Sequence, residues 1–315
     1  MAPMDTDRQP RGTAFALRDA FPWLTFSGLA RTAEALGYRA LFLPEIAGRD
    51  AFAALTGLAG ETGALLLGTG VVPMTSRAPH VTAMGVATVH ERSGGRAILG
   101  LGTGPARRGA LGALEAQVAE LRGLLSPDGG LSLRLATPVP VWIAALGPRS
   151  VALAGRIADG VLLNWCTPER VVEARDAVRV GAEAAGRDPD AITIAAYVRG
   201  SLGAHPEAAL SALRAAAGEY ASYPAYARQF AAMGLADEAA AAGAAHLAGA
   251  PQAVPEALVR AVCLPDDPAD ARVRLDAYRE AGADLPVVYP VPTPEGAAGS
   301  VEDTLRAAAP TRSER

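Results

Sequence analysis

Short runs of β-branched and other apolar residues alternate along the chain with longer stretches rich in Ala, Leu, Glu and Arg, whose apolar positions recur at the helical period. Strand followed by helix, repeated from end to end, is the pattern of βα units around a parallel sheet. It predicts strands at about 13–17, 39–43, 64–72, 96–101, 139–145, 160–164, 191–198 and 284–289. Eight units is the count of a single (β/α)8 TIM-type barrel, an α/β fold. An open doubly wound sheet also alternates, but it carries a glycine-rich turn after its first strand. Here the first strand leads into Asp19–Ser27, which contains no glycine.

The helix ends fit this division. Thr167-Pro168-Glu169 supplies an N-cap, a first-turn proline and an acid at the positive end of the dipole, and Gly37 and Gly282 stand as helix stops before strands. From about 201 to 262 the composition is nearly all helical, which reads as an insertion before the last strand and not as a second domain. Its Ala-rich face, including Ala239 to Ala245, is expected to pack against the barrel. Pro265-Asp266-Asp267-Pro268 then starts the helix before the last strand. Met1 to Gly12 has charges and two prolines but no apolar core, so it reads as a disordered lead-in to a barrel spanning 13–310.

Composition narrows the chemistry. Half of the 315 residues are hydrophobic, enough for one barrel of about 250 residues plus insertions. The net charge of −4 is interspersed, with no basic stripe to neutralise a phosphate backbone, so nucleic acid is not an expected partner. Cys166 and Cys263 have neither the number of a disulfide framework nor the spacing of a zinc site, which points to a reducing, cytoplasmic setting. The longest uncharged stretches are too short and too broken by Gly or Pro to span a membrane. The chain contains no lysine, which removes Schiff-base aldolases, pyridoxal phosphate anchoring and the P-loop together.

In a parallel barrel the reactive groups lie on the loops after the strands. The second strand ends Leu43-Pro44-Glu45, which puts a carboxylate at the mouth. Glu45 is either a functional acid or the partner of Arg49 or another arginine, while Asp50 reads as a helix cap. The third strand holds Gly68 and Gly70, and glycine inside a strand marks a bulge or a ligand lying on the backbone. The fourth strand carries Gly100, Gly102 and Gly104, which open space at the mouth without forming a dinucleotide fingerprint. After the fifth strand, Ala145-Leu146-Gly147-Pro148-Arg149-Ser150 brings together a helix N-terminus, a hydroxyl and a guanidinium, the elements of an anion site. The other reading is a plain βα turn with Arg149 in solvent. His80, His90, His205 and His246 show no metal-ligand spacing and no triad, so no metal is expected.

These residues resemble a family. Ala33-Glu34-Ala35-Leu36-Gly37-Tyr38 into Leu43-Pro44-Glu45 and Gly48-Arg49-Asp50-Ala51-Phe52 is similar to the first modules of the luciferase-like monooxygenase superfamily, in its coenzyme F420-dependent oxidoreductase branch. Leu67-Gly68-Thr69-Gly70-Val71, Ser76-Arg77-Ala78-Pro79, Ser93-Gly94-Gly95-Arg96, Ala158-Asp159-Gly160 through Asn164-Trp165, and Val287-Val288-Tyr289-Pro290 continue the match in order, and within the branch the chain resembles methylenetetrahydromethanopterin reductase-like proteins. The resemblance implies a non-prolyl cis peptide at Gly70-Val71 behind a deazaflavin ring, with Gly102 at the same mouth and the cofactor phosphate on Ala145 to Ser150. It also implies Asn164, Trp165 and Cys166 flanking the cofactor or its tail, although a tryptophan at 165 equally suits a core lid. Glu45 would contact the ring edge or the substrate as a polar contact or proton donor. A homodimer follows by analogy.

Two departures touch the substrate side. Pro105 stands where some reductases of the family place an acid, and the segment from Pro105 to Leu135 is short and carries Arg107 and Arg108, which suits an open mouth or an anionic substrate. The function implied is hydride transfer between coenzyme F420 and a small imine, enone, carbonyl or alcohol-type substrate. The alternatives are a monooxygenase using reduced flavin mononucleotide (FMN) and a non-catalytic flavin-binding barrel.

Overall fold

A computed structural model describes residues 10–18, 21–104, 107–203, 205–293 and 297–311. Most of the lead-in, residues 1–9, and Pro105 lie outside the described residues. The strands are β1 (Ala14–Ala16), β2 (Ala40–Leu43), β3 (Leu66–Thr69), β4 (Val72–Pro73), β5 (Ala97–Gly102), β6 (Val141–Ala144), β7 (Gly160–Asn164), β8 (Thr193–Gly200) and β9 (Leu285–Pro290). Every pairing is parallel, and the sheet closes on itself because β9 pairs with β1 and β3 pairs with β5. Strands buried on both faces carry continuous apolar runs, which is why their positions are legible along the chain.

β3 and β4 are two halves of one stave. Gly68 stands opposite Ile98 and Val72 opposite Leu101, so four steps along β3 and β4 match three along β5. The extra residue is a bulge, and the Gly70–Val71 peptide within it is cis, as the resemblance implies. The predicted strand 64–72 is thus interrupted, and the closed barrel has eight staves built from nine strands. Thr69 repairs the ladder beside the bulge: its hydroxyl accepts from the Gly100 N–H at 2.8 Å and donates to the Gly100 carbonyl at 2.8 Å.

α1 (Trp23–Leu36), α2 (Ala51–Ala59), α3 (Pro79–Arg92), α4 (Ala110–Leu125), α5 (Pro148–Ile157) and α6 (Pro168–Ala184) cover the first staves. α7 (Pro206–Ala221), α8 (Pro224–Ala232), α9 (Ala236–Leu247) and α10 (Glu256–Val262) form the excursion after β8, and α11 (Pro268–Glu280) and α12 (Ala297–Ala307) complete the ring. The helix stops behave as read. Gly37 sits at φ 94° and returns its N–H to Ala33 and Glu34 carbonyls, and Thr167 accepts from Arg170 N–H at the start of α6. Asp267 caps α11 through the Ala269 and Asp270 N–H groups.

The Ala-rich face of α9 differs from its expected packing. Ala239, Ala242 and Ala245 are buried with Phe230 and Leu258 in a core of the excursion itself, to which the loop after β7 contributes Trp165. Small side chains let α9 nest against its sister helices, and one aromatic ring from the barrel keys the excursion into place. At the opposite end of the barrel, the buried Arg96 donates to the carbonyls of Leu65 (2.6 Å), Thr62 (2.9 Å) and Ala59 (3.1 Å). Those contacts join the end of α2 to the starts of β3 and β5. No helix among the described residues is long and apolar enough to cross a membrane.

Candidate active site

The alternation of each strand sorts its side chains into barrel interior and helix interface. Phe42, Trp142 and Tyr197 point inward and close the floor, with ring centroids 5.5 Å apart for Phe42 and Trp142 and 6.1 Å for Phe42 and Tyr197. Above them Val71, Ala144 and Tyr289 pack on the same interior cluster and are only partly buried, so they face the open mouth. Gly70 backs directly onto the floor: a Cβ there would lie 2.1 Å from the Tyr197 hydroxyl. That hydroxyl is buried with no hydrogen-bond partner among the described residues, and burial raises its pKa well above the phenol range. Gly102 serves the bulge, because its missing Cβ leaves room for the Val71 side chain at 2.7 Å. The bulge is therefore held from below, with Val71 presented at the mouth.

Of the two readings open for Glu45, the geometry supports the ion pair. Arg77 donates from Nε to Oε1 at 2.8 Å and from Nη2 to Oε2 at 2.6 Å. Ser76 Oγ at 3.2 Å and the Ala51 N–H at 3.3 Å use the remaining acceptor positions. The partner is Arg77 and not Arg49, whose guanidinium donates to the Phe21 carbonyl at 2.8 Å. Asp50 caps α2 through the Ala53 N–H at 2.9 Å and also meets Arg77. Partial burial works against its charge, but the Ala53 N–H and Arg77 hold its carboxyl below the usual range. The Glu45 carboxylate thus ties the β2 loop to the β4 loop.

In the loop after β6, Ala145 is buried and its N–H is used by the Leu162 carbonyl at 3.1 Å, while the Leu146 carbonyl accepts from Arg170 at 3.0 Å. Gly147 caps α5 without any side-chain hydrogen bond, and a Cβ at Gly147 would meet nothing within 4 Å. Arg149 is exposed, and Ser150 Oγ donates to the Gly147 carbonyl at 2.8 Å. An N-terminal turn with no capping side chain, a serine hydroxyl and an exposed arginine suits a phosphate. Pro148 contributes no N–H, so the turn's donors begin at Arg149.

The loop after β7 departs from what the resemblance implies. Trp165 and Cys166 are 0% and 1% exposed, so neither offers a face to a cofactor tail. Trp165 takes a φ of 51°, a left-handed conformation that costs a bulky residue about 1–3 kcal/mol. It is held there by Gln229, which donates to the Trp165 carbonyl at 2.6 Å, and by Tyr278, which donates to the carbonyl of Cys166. Asn164 stays at the mouth with its amide in use: Nδ2 donates to the Tyr226 hydroxyl at 2.8 Å and Oδ1 accepts from Arg199. Gln229, Tyr226 and Arg199 were not singled out from the sequence. The signal for Arg199 was available, since period-two counting from Ala195 and Tyr197 puts it on the interior face.

Burial pushes both cysteine thiols, Cys166 and Cys263, up to about 12. Neither should be alkylated in the native protein at pH 8, while both should label after unfolding, as read by intact mass. Modification of Cys166 under native conditions would show that the loop after β7 opens, and modification of Cys263 that the segment after α10 does. His80 is exposed, and His90 is buried with Nε2 2.9 Å from Thr137 Oγ1. No group of His, Cys, Asp or Glu among the described residues is arranged to hold a metal ion.

The comparisons with known proteins agree with this architecture. The model of the luciferase-like monooxygenase family matches residues 6–112 and 112–285. A 5,10-methylenetetrahydromethanopterin reductase of Methanolobus tindarius is 34% identical over 198 residues, covering 56% of this chain and 61% of the relative. The first curated relatives are matched over only 52% to 61% of their own length. Among solved structures, the coenzyme F420 dependent tetrahydromethanopterin reductase from Methanopyrus kandleri superposes with a TM-score of 0.74 at 20% identity, covering 96% of this chain and 98% of that one. An F420-dependent secondary alcohol dehydrogenase in complex with an F420-acetone adduct gives 0.76 at 17% identity, covering 94% and 97%. At those identities the likeness is one of fold.

Proposed function

Because the chain belongs to the luciferase-like monooxygenase family, we propose that it is a coenzyme F420-dependent oxidoreductase, transferring a hydride between the deazaflavin and a small imine, enone, carbonyl or alcohol-type substrate. The observation that carries the reading is the bulge between β3 and β4, which presents Val71 at the mouth over a floor of Phe42, Trp142 and Tyr197. The names of the F420-dependent relatives support it. When bound, the deazaflavin supplies a ring carbon that gives or accepts the hydride.

The chain's own residues have separate tasks. Val71 and Ala144 form the apolar support on which a flat ring rests, and the aromatic floor excludes water from below. Gly70 keeps the support close to the floor, since any side chain there would collide with Tyr197. Gly147, Arg149 and Ser150 take the cofactor phosphate at the start of α5. Glu45 and Arg77 hold the two loops that frame the support. Trp165 stays in the core of the excursion and anchors it to the barrel, while Cys166 stays in the main barrel core.

The phosphate site gives a test with two readouts of opposite sign. An acid in the first turn of a helix stabilises it, by about 0.3–1 kcal/mol at an exposed position, whereas a phosphate bound at the same turn is repelled. Ser150→Asp should therefore leave the thermal midpoint unchanged or raised and weaken F420 binding at least tenfold. Unchanged affinity in that variant would move the phosphate elsewhere.

A further inference from the structure

Arg199 is the residue at the mouth to which the reading above gives no task. It is 3% exposed, and it lies two residues beyond Tyr197 on the interior face of β8. Its guanidinium carbon lies 4.2 Å from the Trp165 ring centre, 4.7 Å from that of Tyr289 and 5.0 Å from that of Tyr220. Nη1 donates to Oδ1 of Asn164. One amide oxygen serves a group that has five N–H donors, and among the described residues no carboxylate pairs with it.

Among the described residues, the titratable groups packed against this cation are phenols and thiols, and Glu219 and Arg18 are further charges felt at the neighbouring Tyr289. Tyr197, Tyr226, Tyr289, Cys166 and Cys263 are all pushed up by burial and stay neutral. Aromatic faces return part of the cost of desolvating a guanidinium but do not neutralise it. If fastening the excursion to the barrel were the whole task, an apolar side chain of similar volume would do it at least as well. The surroundings are also poor in acceptors. The Asn164 amide is oriented by Tyr226, so its single oxygen is already used, and the Tyr197 hydroxyl beneath has no partner among the described residues. Among the described residues, this buried cation with spare donors has no anion.

We propose that Arg199 is the anion-binding residue of the substrate pocket and that the substrate carries a carboxylate, held by the guanidinium beside the half-buried Tyr220 and Tyr289 rings, with the buried Trp165 ring backing the guanidinium from the core. The planar fork of the guanidinium matches a carboxylate in two parallel hydrogen bonds, and the half-buried Tyr220 and Tyr289 rings give apolar walls to a small substrate body. This rests on reading the mouth as the place of hydride transfer, and it narrows the substrate class to an oxo, hydroxy or unsaturated acid.

Benzoate and its neutral analogue benzamide are suitable probes, titrated calorimetrically with and without F420. The wild type should bind benzoate at least tenfold more tightly than benzamide. Arg199→Met should abolish that preference and Arg199→Lys should keep part of it, both with F420 affinity unchanged. Equal affinity for the two probes in the wild type, a result that depends on no variant folding, would overturn the proposal. A preference that survives in Arg199→Met would overturn it too, as would loss of F420 binding in that variant, because the anion would then belong to the cofactor. A wild type that binds no F420 strikes the cofactor reading instead, and the benzoate arm without cofactor still decides the anion site.

Discussion

Replacing Gly100 by alanine should destabilise the barrel by about 3 kcal/mol, the upper end of what overpacking a core costs. The added Cβ would fall 2.0 Å from the Thr69 carbonyl oxygen and 3.1 Å from Leu162 Cδ1. The first collision is with backbone, and that backbone cannot withdraw freely, because the Thr69 hydroxyl is bonded to both the N–H and the carbonyl of Gly100. Relief requires shifting the bulged stave, so support for the ring is lost along with stability. Thermal unfolding followed by circular dichroism checks the first effect and F420 titration the second. Gly112→Ala is the control: it lies in α4 with nothing within 4 Å of the new Cβ, and should be neutral or stabilising by up to about 1 kcal/mol. A Gly100→Ala protein as stable as the wild type would mean that the two staves are not packed as described.

The second large effect is expected from Glu45→Ala. The pair is mostly shielded, with side-chain exposures of 18% for Arg77 and 12% for Glu45. Removing the carboxylate leaves Arg77 with Asp50 alone, whose side chain is 44% exposed. Breaking one side of a fully buried pair costs about 3–5 kcal/mol, and the partial solvent access here reduces that to about 2–3 kcal/mol. Both Glu45 oxygens are already occupied, which favours a positioning role over proton transfer. Glu45→Gln should therefore keep the pH profile of turnover unchanged while raising KM more than it lowers kcat. A pH limb that vanishes in Glu45→Gln would restore it as an acid or base.

Much of the architecture was legible because the physics that builds it is local. Strands buried on both faces read as apolar runs, and helix ends carry their own chemistry in Thr167, Gly37 and Asp267. The bulge was legible only as a possibility, since Gly68 and Gly70 signal close approach without saying what approaches. The structure answers that the neighbours are the Phe42 ring and the Tyr197 hydroxyl. What escaped depends on contacts far apart in sequence. Glu45 meets an arginine 32 positions away. Trp165 finds its place through Gln229, 64 positions away, in an excursion whose helices show no landmark beyond their alanines. Arg199 was passed over because the predicted strand stopped at 198, one residue before the side chain on which the substrate inference depends.

The cofactor is the central claim, and competition tests it most directly: the purified protein is mixed with equimolar coenzyme F420 and FMN, passed through an ultrafiltration membrane, and the retained chromophore is identified by its absorbance spectrum. On the strength of the F420-dependent relatives, F420 is predicted to be retained in one-to-one stoichiometry while FMN passes. Selective retention of FMN would contradict that account and make the protein an oxygen-using member of the same family.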